Sequence, residues 1–471
     1  MNLSMIWQFL IGCLLSTGLQ AQQKMTPAQL KEDLALVDQA LQEAHPGLFR
    51  YTNKSAYTQL VRSIETELKE ALTEKEFLVR LQSLIAQISC GHTKLLPSAY
   101  QEGKFLYPAA HAFPLRLYFE EQDVFVLESY SAEAGIPAGA RIIRINGVAM
   151  QEIRKKLSSL LPADGTMQTG ITATLNRSFN SLYAIFLGES PVYTISYEYK
   201  GKKRTAALKG IASETIEQAN ANQQASGLKP FELEWKGSTA WLTIRSFMAD
   251  KQQYPFEKFA DSVFSELKTK LTSNLVIDCR DNEGGIEDWG GYLYSYLADT
   301  NFRYYDRILV NKKDSFSFQP YAWLPPFYHQ ARNLIQEKDG KFYWPLQTYL
   351  KELPAKENRF TGTVYLLVNG RSFSVTSELA TVVKQNKRAI IVGEETGGNG
   401  YVNNSGLFAV LTLPNSKLQV GIPLASFYMN SDPVNGRGVV PDFKIATTIK
   451  DVLNKKDPVA AFVLNKIKTT H

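Results

Sequence analysis

Three short stretches combine chemically able residues with positions at the ends of regular elements. Ser89-Cys90-Gly91-His92-Thr93 follows a helical pattern and sets an imidazole on a loop. Neutral imidazole accepts protons near pH 7, so this histidine is a candidate general base. Asp278-Cys279-Arg280-Asp281-Asn282-Glu283-Gly284-Gly285 follows an apolar strand pattern. Paired glycines there expose backbone N–H groups that bind phosphate or stabilise an oxyanion. The lysine of a phosphate-binding loop is absent, which disfavours nucleotide chemistry. Asn369-Gly370-Arg371-Ser372-Phe373-Ser374 leads into a helix. A hydroxyl at that position either caps the helix or acts as a nucleophile favoured by the helix N-terminus. Ser372, Ser374 and Ser377 all compete for the role. Taken singly, each stretch has a plainer explanation: a structural histidine, a tight glycine turn and an N-cap.

The elements that must position these loops are legible in outline. Residues 22–100 form a helical region. Thr26-Pro27 starts a helix, Leu30, Leu34, Val37 and Leu41 recur at helical spacing, and Thr73 with Glu76 forms a capping box. That last helix is expected to stop near Gly91, leaving His92 on a loop. Residues 105–210 change to short strands, with an Asn146-Gly147 hairpin turn and a helical insert over about 151–187. The polar stretch 212–227 reads as a linker. From 228 to 450 strands and helices alternate, as in an α/β domain. Its strands are Thr239–Ile244, Leu275–Asp278, Thr363–Val368 and Ala389–Val392, and a helix runs from about Val375 to Asn386. An aromatic and charged insertion at 301–360 reads as either a small subdomain or a functional cover. Residues 451–471 form a C-terminal helix and tail.

The chain has 471 residues, 44% hydrophobic and 21% charged, with a net charge of +6, so a disordered chain or a nucleic-acid binder is not the expectation. Met5–Leu19 is one apolar run, too short for a stable span, and reads as a secretory signal peptide over residues 1–21. A lipoprotein box at Leu10-Ile11-Gly12-Cys13 ranks below it, because apolar sequence continues past Cys13. An exported protein, in a bacterial periplasm or cell envelope or secreted, with no transmembrane span after cleavage, is expected. Cys90 and Cys279 remain, and they read as small buried hydrophobes rather than a disulfide. Histidine is scarce, five in all: His45, His92, His111, His329 and His471.

Taken together and in order, the loops resemble the tail-specific, or C-terminal processing, serine peptidases. The likeness is to the branch holding the tricorn core and interphotoreceptor retinoid-binding protein. The matching segments are Gly91-His92-Thr93, Leu275 to Gly285, Val368 to Ser374, Val392-Gly393-Glu394-Glu395-Thr396-Gly397-Gly398, and Gly436-Arg437-Gly438-Val439-Val440-Pro441-Asp442. Ala134 to Gly139, followed by Ile142 to Gly147, resembles the peptide-binding PDZ domain of these enzymes.

The resemblance implies a crotonase-like (ClpP-like) α/β core with an N-terminal helical region and a PDZ-like β-rich domain. It implies Ser374 as nucleophile, with Ser377 the weaker option, and the N–H groups of Gly284, Gly285 and Val375 as the oxyanion hole. The family's lysine base is replaced by Asn399, so His92 carries the proton. The glutamate that orients the histidine is replaced by Asn435, which leaves Asp432 as the candidate orienting group. No cofactor, metal or nucleic acid is implied. The expected partners are polypeptides, held through their C-termini. The alternative is a catalytically impaired relative that binds peptide or lipid.

Overall fold

The structure, a computed structural model, describes residues 24–131, 135–223, 227–433 and 436–469. The expected signal peptide, Cys13, Asn435 and His471 lie outside these residues.

The central sheet is built from strands that read as unbroken apolar runs. Its spatial order is Phe231–Lys236, Thr239–Ile244, Asn274–Asp278, Thr363–Val368, Ile390–Gly393, Phe443–Lys444. All neighbouring pairs are parallel except the first. A parallel sheet is covered on both faces, so alternate residues must both be apolar. Leu275, Ile277, Leu366 and Val368 enter the main core. Val276, Tyr365, Leu367 and Val392 face the other way, onto Val459, Val463 and Ile467 of the C-terminal helix Pro458–Thr469. The catalytic-type loops leave the carboxyl ends of Asn274–Asp278 and Thr363–Val368, which are adjacent in register (Asp278 opposite Leu367).

A second, antiparallel sheet stands beside the first. Its order is Ala322–Trp323, Val402–Thr412, Gln419–Met429, Tyr305–Val310, Lys341–Tyr343, Gln336–Lys338, with Lys94–Leu96 also paired to Gln419–Met429. This corrects the reading of 301–360. The segment is not a separate subdomain, because its strand Tyr305–Val310 lies inside this sheet between Gln419–Met429 and Lys341–Tyr343. The long hairpin 402–429 had no strand reading. Its first strand carries buried Asn403, Asn404 and Ser405, and a bulge between Ser405 and Phe408 breaks the alternation.

The β-rich region forms a third sheet, Leu115–Glu120, Asp123–Ser129, Arg141–Ile145, Val192–Tyr199, Lys202–Lys209. Asn146 and Gly147 make its turn at φ 48° and 80°. The expected helical insert is two helices, Met150–Ser158 and Gln168–Phe186. The linker reading of 212–227 is corrected to a helix, Ser213–Gln223. Ile216, its buried apolar anchor, packs with Ala109, Ala112 and Ala184, and one anchor leaves no periodicity to read.

Candidate active site

The helix Glu74–Gln87 ends before Ser89, which takes the positive φ of 55° that Gly91 was expected to supply. Gly91 is required for space instead. A Cβ there would come within 2.8 Å of the Phe373 ring. Its N–H donates to Asp164 Oδ1 at 2.7 Å, and Asp164 Oδ2 accepts from Asn399 N at 3.3 Å. Lys94–Leu96 then pins the loop to the second sheet. His92 is thereby held with its ring stacked on Phe373, centroids 4.4 Å apart.

The three competing serines separate by their bonds. Ser372 Oγ donates to the Cys279 carbonyl at 2.9 Å, and Ser377 Oγ donates to the Ser372 carbonyl at 2.9 Å. Both hydroxyls are spent on the turn. Ser374 precedes the helix Val375–Gln385 with φ 55° and ψ −126°, and its side chain makes no cap. A non-glycine residue in that region is strained, and such strain at a strand-to-helix turn presents a side chain outward. Its Oγ accepts from Asn403 Nδ2 at 3.4 Å, leaving the hydroxyl proton free to be given away.

The glycine loop closes over this serine. Gly284 and Gly285 sit at φ 96° and 148°, and a Cβ on Gly284 would approach Ser374 Cβ to 2.7 Å. One correction applies to the oxyanion candidates. The Gly284 N–H donates to Asn282 Oδ1 at 2.9 Å and is already engaged. The N–H groups of Gly285 and Val375 have no hydrogen-bond partner among the described residues.

His92 makes no hydrogen bond to Ser374. Its Nδ1 is buried without a partner among the described residues. Burial, with lesser repulsion from Lys94 and His45, pushes its pKa down to about 3, so the imidazole is neutral but, enclosed in this way, a weak proton acceptor. Asp432 does not orient it. That carboxylate is exposed and bonds Gln385 at the far end of the serine helix, Oδ2 to Nε2 3.4 Å. Helical rise places that end about 15 Å from Ser374, beyond side-chain reach. Asn399, in the lysine position, is 3% exposed and caps its own loop by accepting from Tyr401 N and Val402 N at 2.8 and 3.0 Å.

Several site residues carried no motif. Glu378, one turn after Ser374, is fully buried; its carboxylate accepts from Tyr305 Oη at 2.7 Å and Asn403 Nδ2 at 2.5 Å. Burial raises its pKa to about 7 against those two bonds. Glu378 is readable in the sequence by its spacing, four residues after Ser374, but Tyr305 and Asn403 come from distant strands with no local signal. His45 caps the end of the first helix, and its Nε2 lies 3.0 Å from Thr93 Oγ1. His111 and His329 are exposed. Cys90 and Cys279 are buried and free.

Residues 238–445 match peptidase family S41. Among solved structures the chain is similar to mature CPAF, at a TM-score of 0.64 and 16% identity over 94% of this chain and 96% of that one. It is equally similar to mature CPAF complexed with lactacystin, at 0.64 and 16% identity over 94% and 98%. At that identity the likeness establishes a shared fold, and the expected α/β core is borne out. The tricorn protease aligns at a TM-score of 0.36 and 14% identity, over 93% of this chain and 36% of that one, and supports nothing further.

Proposed function

We propose, on the match of residues 238–445 to peptidase family S41, that this chain is an exported serine endopeptidase of the tail-specific type. Ser374 attacks the scissile carbonyl, His92 takes the hydroxyl proton, and the N–H groups of Gly285 and Val375 bind the oxyanion of the tetrahedral intermediate. The proton then passes to the leaving amine, and water hydrolyses the acyl-enzyme by the same route. The observation that carries this reading is the strained, uncapped Ser374 beside two N–H groups, of Gly285 and Val375, that have no partner among the described residues. The PDZ-like region would hold a polypeptide C-terminus by strand addition. Export rests on the apolar run Met5–Leu19.

A second reading, a binding protein on the same fold, is favoured by one feature: His92 has no bond to Ser374 and, among the described residues, no partner at Nδ1. One experiment separates the two. A fluorophosphonate probe should label Ser374 stoichiometrically in the purified protein, and Ser374→Ala should lose both label and hydrolysis of an unfolded polypeptide. Absent labelling together with tight peptide or lipid binding would establish the second reading instead.

A further inference from the structure

An extended polypeptide joins a sheet only along an edge strand, where backbone N–H and C=O groups lack a neighbour. The β-rich sheet has two edges, Leu115–Glu120 and Lys202–Lys209. They are not equivalent.

The chain itself closes Leu115–Glu120. Tyr130 N–H donates to the Pro114 carbonyl at 3.0 Å, so even-numbered residues turn toward the neighbouring strand and odd-numbered ones turn away. Those outward groups meet the helix Gln168–Phe186. Phe119 N–H donates to Asn176 Oδ1 at 2.6 Å, and Asn180 Nδ2 donates to the carbonyls of Phe113 and Leu115 at 2.6 and 3.0 Å. The two asparagines are one turn apart and share a helix face. Beside them the Phe179 ring packs on Phe113 and Phe119, 5.5 Å between centroids in each pair. A strand added here would have to displace both asparagines and a buried ring.

Lys202–Lys209 is open. Its hairpin turn is two residues, Lys200 and Gly201, at φ 49° and 73°, so Tyr199 and Lys202 close it as a hydrogen-bonded pair. Even-numbered residues then bond to Val192–Tyr199, and the backbone groups of Lys203, Thr205 and Ala207 point outward. Ile211 continues that outward series, and it exchanges both backbone bonds with Ala112, at 2.7 and 3.1 Å. Past Ala112 the chain leaves this line for the other edge. No strand among the described residues pairs with the outer side of Lys202–Lys209, and Lys203, Thr205 and Ala207 are exposed.

Charge sets the occupant and its direction. Lys202, Lys203 and Arg204 are exposed and make no ion pair among the described residues. Glu198, opposite Lys203, is engaged by Arg141 at 2.8 Å. The three cations lie at the start of the strand, so a strand added antiparallel ends among them. A terminal carboxylate placed there gains charge-assisted hydrogen bonds.

We propose that a polypeptide C-terminus is held antiparallel along the outer side of Lys202–Lys209, its carboxylate at Lys202, Lys203 and Arg204, and not along Leu115–Glu120. The inference rests on the reading above that a chain end is captured by strand addition.

The test titrates full-length Ser374→Ala protein, which does not consume the probe, with a short fluorescent polyalanine peptide in free-acid and C-terminally amidated forms. The acid should bind about tenfold more tightly than the amide. Lys203→Glu, added to that protein, should remove the difference. Thr205→Pro should weaken both forms about tenfold or more, because proline has no N–H to give, while an edge position with its N–H outward tolerates it in the fold. A melting temperature close to the parent's reports that this fold is kept. Asn176→Ala, which frees the Phe119 N–H, should leave binding unchanged. Equal binding of acid and amide, an acid preference that survives Lys203→Glu, or binding that survives Thr205→Pro overturns the proposal. Tighter binding in Asn176→Ala moves capture to the other edge and also overturns it. Fluorophosphonate labelling of Ser374 in the wild type is read separately. Labelled serine with any of these failures keeps the peptidase reading and removes the docking edge. Unlabelled serine with an acid preference lost in Lys203→Glu supports the docking edge and removes the peptidase reading.

Discussion

The imidazole of His92 lies stacked on the ring of Phe373, 4.4 Å between centroids and 27° between planes, one residue before Ser374. The proposed base and nucleophile are thus brought together by an aromatic contact rather than a hydrogen bond. Apo sites often hold catalytic groups loosely and tighten with substrate bound. This stacking is the contact that sets their separation.

Gly91→Ala tests that contact. The new Cβ would stand 2.8 Å from Phe373 Cζ, so the ring must move and His92 with it. Overpacking of this kind costs about 1–3 kcal/mol. Expected are a lower melting temperature and a kcat reduced about tenfold or more, since small displacements of reacting groups are expensive.

Backbone strain at Ser374 should appear as a difference between two inactive variants. Alanine keeps the Cβ and hence the cost of φ 55°, whereas glycine removes it. Ser374→Gly should therefore be more stable than Ser374→Ala by about 1 kcal/mol in denaturant titrations. Equal stabilities would argue that the turn is relaxed.

Glu378 gives a pH signature. Burial raises its pKa from an ordinary 4.5 to about 7. Between those values the native state holds a proton that the unfolded chain has lost, so this group's contribution falls as pH rises through the window. Glu378→Gln has no such proton. Relative to wild type, the variant should gain stability on going from about pH 5 to about pH 8, by roughly 2–3 kcal/mol, read from melts at both values.

Asn403→Ala should slow fluorophosphonate labelling of Ser374, because the same amide donates to Ser374 Oγ and Glu378 Oε1. Loss of that bond leaves a buried carboxyl with one partner fewer, at a cost of about 1–3 kcal/mol. Asp432→Ala, by contrast, should change hydrolysis little, since its partner is Gln385 on the far end of the helix.

The sequence by itself determined the local parts. Thr239–Ile244 and Thr363–Val368 were legible to the residue because strands buried on both faces read as apolar runs with clear ends. The capping box of Thr73 and Glu76 announced its helix, and the three loops, in order, announced a serine, a histidine and a glycine pair. All of these signals lie within a few residues of the feature they specify.

The tertiary structure decided what those parts do to one another. Only the turn's bonds show that Ser372 and Ser377 are occupied while Ser374 is not, and that Gly284 is engaged while Gly285 and Val375 are open. Only the second sheet brings Tyr305 and Asn403 from 73 and 25 residues away onto Glu378. The pairing partners of a polar residue buried in a bulged strand leave no period in the sequence, because what stabilises them is contact across space. For the same reason Asp432, close to the right motif in the chain, proved to face the wrong end of a helix.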